Sequence, residues 1–193
     1  MRKSKKLSKN KKPTVVFIYG PIAVGKFTVA EILKRKLGYR LAHNHHLSDF
    51  IEEIFERGSF ACGQVKEELR FYLIQQAVKA KVNLVATYCY SHDFVYPSGL
   101  TEPEFVQKLQ RKLTVLGAKF YPVHLKADRK ELLKRVGMGS RKMFKKLTDR
   151  KVMMSLRNDW QTSPKLKNNF VIDNTNLSPQ KVANMIIKHF KLR

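Results

Sequence analysis

Thr14-Val-Val-Phe-Ile-Tyr19-Gly20-Pro-Ile-Ala-Val-Gly25-Lys26-Phe27-Thr28 decides how the rest of this chain is read. From Thr14 to Tyr19 it is a run of β-branched and aromatic residues, the pattern of a strand buried on both faces of a parallel sheet. Gly20-Pro21 ends that run, and a helical pattern opens at Lys26. Val29, Ile32, Leu33 and Leu37 fall on one face of this helix, and Gly38 is its natural stop. Between strand and helix lies G-x-x-x-x-G-K, from Gly20 to Lys26. That spacing in that context is built for phosphate. Glycines permit unusual dihedrals and close backbone approach. Successive amides then point into the loop and cradle phosphate oxygens, the helix N-terminus adds its dipole, and a lysine supplies a point charge to the β- and γ-phosphates. The nucleotide-binding set on this reading is Gly20, Ala23, Val24, Gly25, Lys26, Phe27 and Thr28.

Phe27 departs from the general motif, which has Ser or Thr there for Mg²⁺. Thr28 follows, but neighbours on a helix point about 100° apart, so it does not simply replace residue 27. Mg²⁺ tolerates a largely aqueous shell. ATP with Mg²⁺ is therefore the expected cofactor pair, with Thr28 the nearest protein-side metal candidate.

Further along, elements alternate. Tyr39–His43 reads as a short strand and Phe50–Phe55 as a helix; Gly58 and Gly63 flank a loop. Gln64–Lys79 has helical apolar spacing, and Val82–Tyr90 is a second buried strand. Pro103–Leu116 is a helix with proline in its first turn. Lys119–Lys126 is a strand candidate that Pro122 should make short or irregular. Helices follow over Arg129–Val136 and roughly Arg150–Trp160, the latter capped by Thr148 or Asp149. A strand at Asn169–Asp173 and a helix at Pro179–Phe190, capped by Ser178, close the chain. Strands alternating with helices predict a doubly wound α/β domain: about five parallel strands with helices on both faces. The chain divides into a basic tail (1–12) and one domain (13–193).

Composition sets the limits. The chain has 193 residues, 43% of them hydrophobic, enough for a sizeable core. No apolar stretch suits a bilayer, no signal-peptide h-region opens the chain, and Cys62 and Cys89 form no CxxC pattern. The expectation is a cytoplasmic protein without a membrane partner. Lys and Arg total 39 against 15 Asp and Glu, a formal +24. Seven of the cations (Arg2, Lys3, Lys5, Lys6, Lys9, Lys11, Lys12) crowd a polar tail read as disordered. Such charge suits RNA or another polyanion, but it speaks to solubility and non-specific binding before any specific site. A lysine-rich background is the preferred explanation, with RNA the competing one.

Candidate acceptor residues follow the second strand: His43, Asn44, His45 and Asp49. Ligands in open α/β sheets sit beyond the carboxyl ends of strands. If the segment is still extended, His43 and His45 share a face. Asp49 with Glu52 is equally a helix-cap pattern. Three or four converging zinc ligands are not visible, and no acid ends the strand at Tyr88-Cys-Tyr90, with Asp93 lying in the loop beyond.

The order G-P-x-x-x-G-K-x-T resembles the adenylate kinase and shikimate kinase branch of P-loop kinases. The stretches GPIAVGKFTVAEILKRKLGYRLAHNHH, SRKMFKKLTD and IDNTNLSP are similar to small bacterial and archaeal P-loop proteins labelled AAA-type ATPase or shikimate-kinase-like. The resemblance implies a lid, here about residues 137–149, whose arginines clamp the transferring phosphoryl group and stack on the base. Arg135 and Arg141, beside Gly137 and Gly139, take that part. It also implies that Asp49 orients the acceptor or helps hold Mg²⁺, and that Asn174, Thr175 and Asn176 line the adenine site, where an ordinary Asx turn is the plainer reading. Three functions remain open: a kinase acting on a small metabolite, nucleoside or nucleotide; a kinase acting on a 5′-hydroxyl of RNA; and a nucleotide-driven ATPase or switch without an acceptor.

Overall fold

β1 (Thr14–Gly20) is buried at every residue because it lies in the middle of the sheet. The computed structural model describes residues 12–138, 147–155 and 161–193. Around β1 lie β2 (Arg40–Ala42), β3 (Leu84–Cys89), β4 (Lys119–Lys126) and β5 (Phe170–Asp173), in the order β2-β3-β1-β4-β5. All four pairings are parallel. Every connection is therefore a crossover, so helices cover both faces and the central strands are mainly apolar. One core, with Val16, Ile18, Val85 and Val123 from the sheet, packs beneath α1 (Lys26–Leu37) and α7 (Pro179–Phe190). The other, with Phe17, Tyr19, Tyr88 and Phe120, packs beneath α3 (Phe60–Lys79) and α4 (Glu102–Val115). The alternation of Val16 and Ile18 with Val15, Phe17 and Tyr19 is the period of two that divides one strand between two cores.

Several local expectations change. Gly63 does not flank a loop. It lies inside α3, which starts early because the Ser59 hydroxyl accepts from the Cys62 amide at 3.2 Å. α2 (Asn44–Glu52) likewise begins ahead of the expected Phe50, so Asp49 sits within the helix and caps nothing. Pro122 does not shorten β4. The Lys119 amide points toward the β1 side, donating to Pro13 O, so the ring nitrogen of Pro122 faces the other way by alternation. There β5 begins pairing only at Val123, and no ladder bond is lost. Asp149 is the cap of α6 (Arg150–Ser155), accepting from Lys151 N at 2.7 Å. α5 (Arg129–Val136) follows the sequence pattern. The basic stretch 1–11 and most of the expected lid, Arg141 included, lie outside the described residues.

Candidate active site

The loop between β1 and α1 owes its shape to three residues with positive φ: Gly20 at 144°, Ala23 at 65° and Gly25 at 90°. Gly20 is obligatory for a second reason, since a Cβ there would stand 2.2 Å from the backbone oxygen of Leu125 in β4. Ala23 accepts a left-handed conformation that costs an L-residue about 1–2 kcal/mol. It remains buried because the rest of the loop holds it. Gly25 is the N-cap of α1 and the first turn carries no acid, so the positive end of the helix is open to an anion.

A brace fixes the loop from behind. Asn174, buried after β5, donates from Nδ2 to Val24 O at 2.7 Å. Arg135, in the last turn of α5, donates to Asn174 Oδ1 at 3.1 Å, Asn174 O at 3.0 Å and Thr175 O at 3.1 Å, while its Nε serves Glu131 at 2.9 Å. Its planar fork suits several acceptors at once. The guanidinium thus faces the β5–α7 segment, and Arg135 is not on the wall of the cavity beside Lys26. Thr175 donates from N and Oγ1 to Asp173 Oδ1 at 2.9 and 2.6 Å, an Asx turn. Those bonds hold the Asp173 carboxyl below the usual aspartate value. Asn176 is exposed.

Lys26 curls over its own loop, donating from Nζ to Gly20 O at 2.8 Å and Pro21 O at 2.5 Å. The ammonium is therefore held at the loop by carbonyls that a phosphate oxygen can outcompete. In front of it opens a cavity of about 480 Å³, walled by the loop, the end of β3 and one side of α2. Phe27 lies on that wall with its ring centroid 4.4 Å from that of His43. Thr28 is exposed on the same wall. His43 is the N-cap residue of α2, and its Nδ1 lies 2.9 Å from Thr87 Oγ1. The same hydroxyl accepts from the Asn44 amide at 3.1 Å. Thr87 thus ties the end of β3 to the start of α2. Because the helix starts at Asn44, His43 and His45 do not share a strand face; their rings still lie 5.2 Å apart. His45 and Asp49 are one helical turn apart, with Nδ1 and Oδ1 separated by 3.9 Å.

The structure therefore brings His43, Asn44, His45 and Asp49 to one cavity with Lys26, Phe27 and Thr28. It places Arg135 and the Asn174–Asn176 segment behind the loop. Thr87, Glu53 and Arg57 also reach the cavity, and sequence reasoning missed all three. Thr87 could have been found from its place near the carboxyl end of a buried strand, where such sheets bind ligands. Glu53 and Arg57 lie past the end of α2, which the sequence pattern places too late. Among the described residues no group of three or more His, Cys, Asp or Glu is placed to hold a metal ion.

No family model and no curated protein matches the sequence. Solved structures match its fold. The APS kinase of Mycobacterium tuberculosis, in complex with AMPPNP and APS, superposes with a TM-score of 0.65 at 14% identity, over 94% of this chain and 99% of that one. A gluconokinase from Sinorhizobium meliloti gives 0.61 at 11% identity, covering 93% and 92%. The fold is that of P-loop kinases. A sugar kinase from Janibacter sp. shares it, with a TM-score of 0.61 at 12% identity over 94% and 96% of the two chains. Gly20 to Lys26 joins the central strand to α1, and the cavity opens beyond the carboxyl end of β3. Among the described residues no helix is long and apolar enough to cross a membrane.

Proposed function

We propose that this protein is an ATP-dependent kinase that transfers the γ-phosphoryl group to a small molecule. The observation that carries the proposal is the juxtaposition of Lys26, at the mouth of a preformed phosphate loop, with a 480 Å³ cavity that Asp49, His43 and His45 line from another element. A nucleotide site alone would not need that second wall. The kinase neighbours, one of them in complex with AMPPNP, support the same reading.

The loop fits a triphosphate: its positive-φ residues form a cradle of amides, and no acid in the first turn of α1 opposes an anion. It fits a protein-bound Mg²⁺ less closely. Phe27 brings no oxygen to the cation, and Thr87 Oγ1 is engaged with His43 and Asn44. Thr28 and Asp49 are the oxygen donors at hand, and water fills the rest of the shell. ATP, when bound, would supply the phosphoryl group, and Mg²⁺ held by Thr28, Asp49 and water would offset charge on its phosphates. The residues of the chain position and stabilise. Lys26 moves from the carbonyls of Gly20 and Pro21 to the phosphates. Asn174 and Arg135 keep the loop in shape and present the base-side segment. Asp49 accepts a hydrogen bond from the acceptor hydroxyl and orients it for in-line attack. His43, held by Phe27 and Thr87, fixes one side of the acceptor.

A competing reading, transfer to a 5′-hydroxyl of RNA, rests on the formal charge of +24. One experiment separates them: transfer of label from γ-labelled ATP to pooled small hydroxyl compounds and to 5′-hydroxyl RNA, with wild type and Asp49→Asn. The proposal expects label on a small molecule, roughly a hundredfold slower or more in the variant. Label on the RNA end, or ATP hydrolysis that no acceptor stimulates, overturns it.

A further inference from the structure

We infer that the acceptor is a neutral or cationic polyhydroxyl compound, such as a sugar, amino sugar or nucleoside, and not a phosphorylated or carboxylated one; this rests on the kinase reading above. Lys and Arg outnumber Asp and Glu 39 to 15 in the chain, so a wall of average composition would be rich in cations. The described wall of the cavity reverses that ratio: it carries Asp49, Glu52 and Glu53 against Lys26 and Arg57. Lys26 is engaged by the phosphate loop and, on the kinase reading, by the nucleotide. Arg57 is 80% exposed and lies 3.7 Å from Glu52. Glu52 also pairs with Lys66 at 2.5 Å. Two carboxylates are left to face the acceptor. Glu53 has no ion pair among the described residues, and Asp49 is approached by His45 at 3.9 Å.

The uncharged part of the wall agrees. Asn44 lines the cavity, and its Oδ1 is buried with no hydrogen-bond partner among the described residues. A buried acceptor oxygen of this kind costs free energy until a donor reaches it. Asp49 and Glu53 ask for a ligand rich in O–H or N–H donors, and a small turn of the Asn44 side chain would bring its oxygen to the same ligand. A phosphate or carboxylate brings only acceptors, and would enter against two carboxylates and the anionic phosphates of the nucleotide. Clefts lined by one sign of charge raise the local concentration of the opposite sign. This cavity therefore selects against the class of acceptor that the charge of the whole chain invites.

The test is transfer of label from γ-labelled ATP to three pools of hydroxyl compounds: sugars and nucleosides; amino sugars and aminocyclitols; and sugar acids, sugar phosphates and nucleoside monophosphates. ATP binding is measured separately in each. Label confined to the first two pools is the expected result. Label on the anionic pool with normal ATP binding overturns the inference and leaves the kinase reading standing. ATP bound with no label on any pool removes the kinase reading, and this inference falls with it. Glu53→Lys then tests the wall itself. Glu53 is the C-cap residue of α2 and a lysine there suits the helix end, so the fold should hold, which a thermal melt checks. With glucosamine and glucuronate as matched probes, the variant should shift their ratio of kcat/KM toward the anion roughly tenfold, with the KM for ATP unchanged. An unshifted ratio overturns the assignment of specificity to this wall.

Discussion

Arg135→Met separates two roles for one arginine. Its guanidinium donates to Glu131 Oε1, Asn174 Oδ1, Asn174 O and Thr175 O at 2.9–3.1 Å, and its side chain is only 18% exposed. Methionine fills much of the same volume and removes every donor. Glu131 also faces Lys134 at 4.0 Å, so its loss is partly made good. The Asn174 and Thr175 acceptors gain no such substitute from a thioether side chain. Each charge-assisted bond contributes about 1–2 kcal/mol net when partly buried, so a total near 3 kcal/mol is expected. For a chain of this length that lowers Tm by about 6–12 °C. Because Asn174 in turn holds Val24 O, the loop loosens, and the KM for ATP should rise about tenfold while kcat falls severalfold at most. Arg135→Lys should recover little, since an ammonium cannot span the fork. Thermal melts and steady-state kinetics with ATP as the varied substrate provide the measurement. A variant with wild-type Tm and a kcat reduced a thousandfold would refute the bracing role and return Arg135 to the transferring phosphoryl group.

Gly20→Ala should lower stability by at least about 3 kcal/mol, from a forced φ of 144° and a Cβ 2.2 Å from Leu125 O; a chemical denaturation curve matching wild type would contradict the loop geometry. Phe27→Ser should keep most activity, losing the ring contact with His43 worth about 1 kcal/mol, whereas Thr28→Ala should lose more; a large gain in Mg²⁺-dependent rate for Phe27→Ser would mean that the native chain is impaired in metal binding. Asp173 has a carboxyl pKa held below its ordinary value by Thr175, so it adds stability above the unfolded value near 4 and loses it as pH falls through the folded value. Asp173→Asn should therefore lower Tm at pH 7, with a deficit that shrinks as pH falls below about 4, and an equal deficit across that range would show that the carboxylate charge is not responsible.

The sheet was legible because burial on both faces leaves strands with nothing but apolar residues, as in Val15–Tyr19 and Leu84–Ala86. The bend of the Gly20–Lys26 loop was legible because its glycines are set by spacing along the chain. What stayed hidden depends on space. Asn44 starts α2 without any side-chain cap, since the bond it uses comes from Thr87, 43 residues away. A reading limited to local caps therefore begins the helix late and misses Glu53 and Arg57 on the cavity wall. Arg135 lies on the helix expected of it but its direction was not legible, because five acceptors from Val24, Glu131, Asn174 and Thr175 decide it. Pro122 is tolerated for a reason of register: its missing donor points to the side where β5 has not yet begun.

The most direct test of the phosphate loop as an ATP site is equilibrium binding of ATP and adenosine to wild type and to Lys26→Ala, with melts run beside them. Lys26 sits at the mouth of the loop, and its ammonium bonds there to the carbonyls of Gly20 and Pro21. Both are neutral acceptors that water can serve instead, so its removal should leave Tm within about 2 °C of wild type. Losing its charge on the phosphates should weaken ATP binding by roughly a hundredfold or more, while adenosine, which has no phosphate, binds both proteins alike. Equal affinity of wild type and Lys26→Ala for ATP would contradict the account.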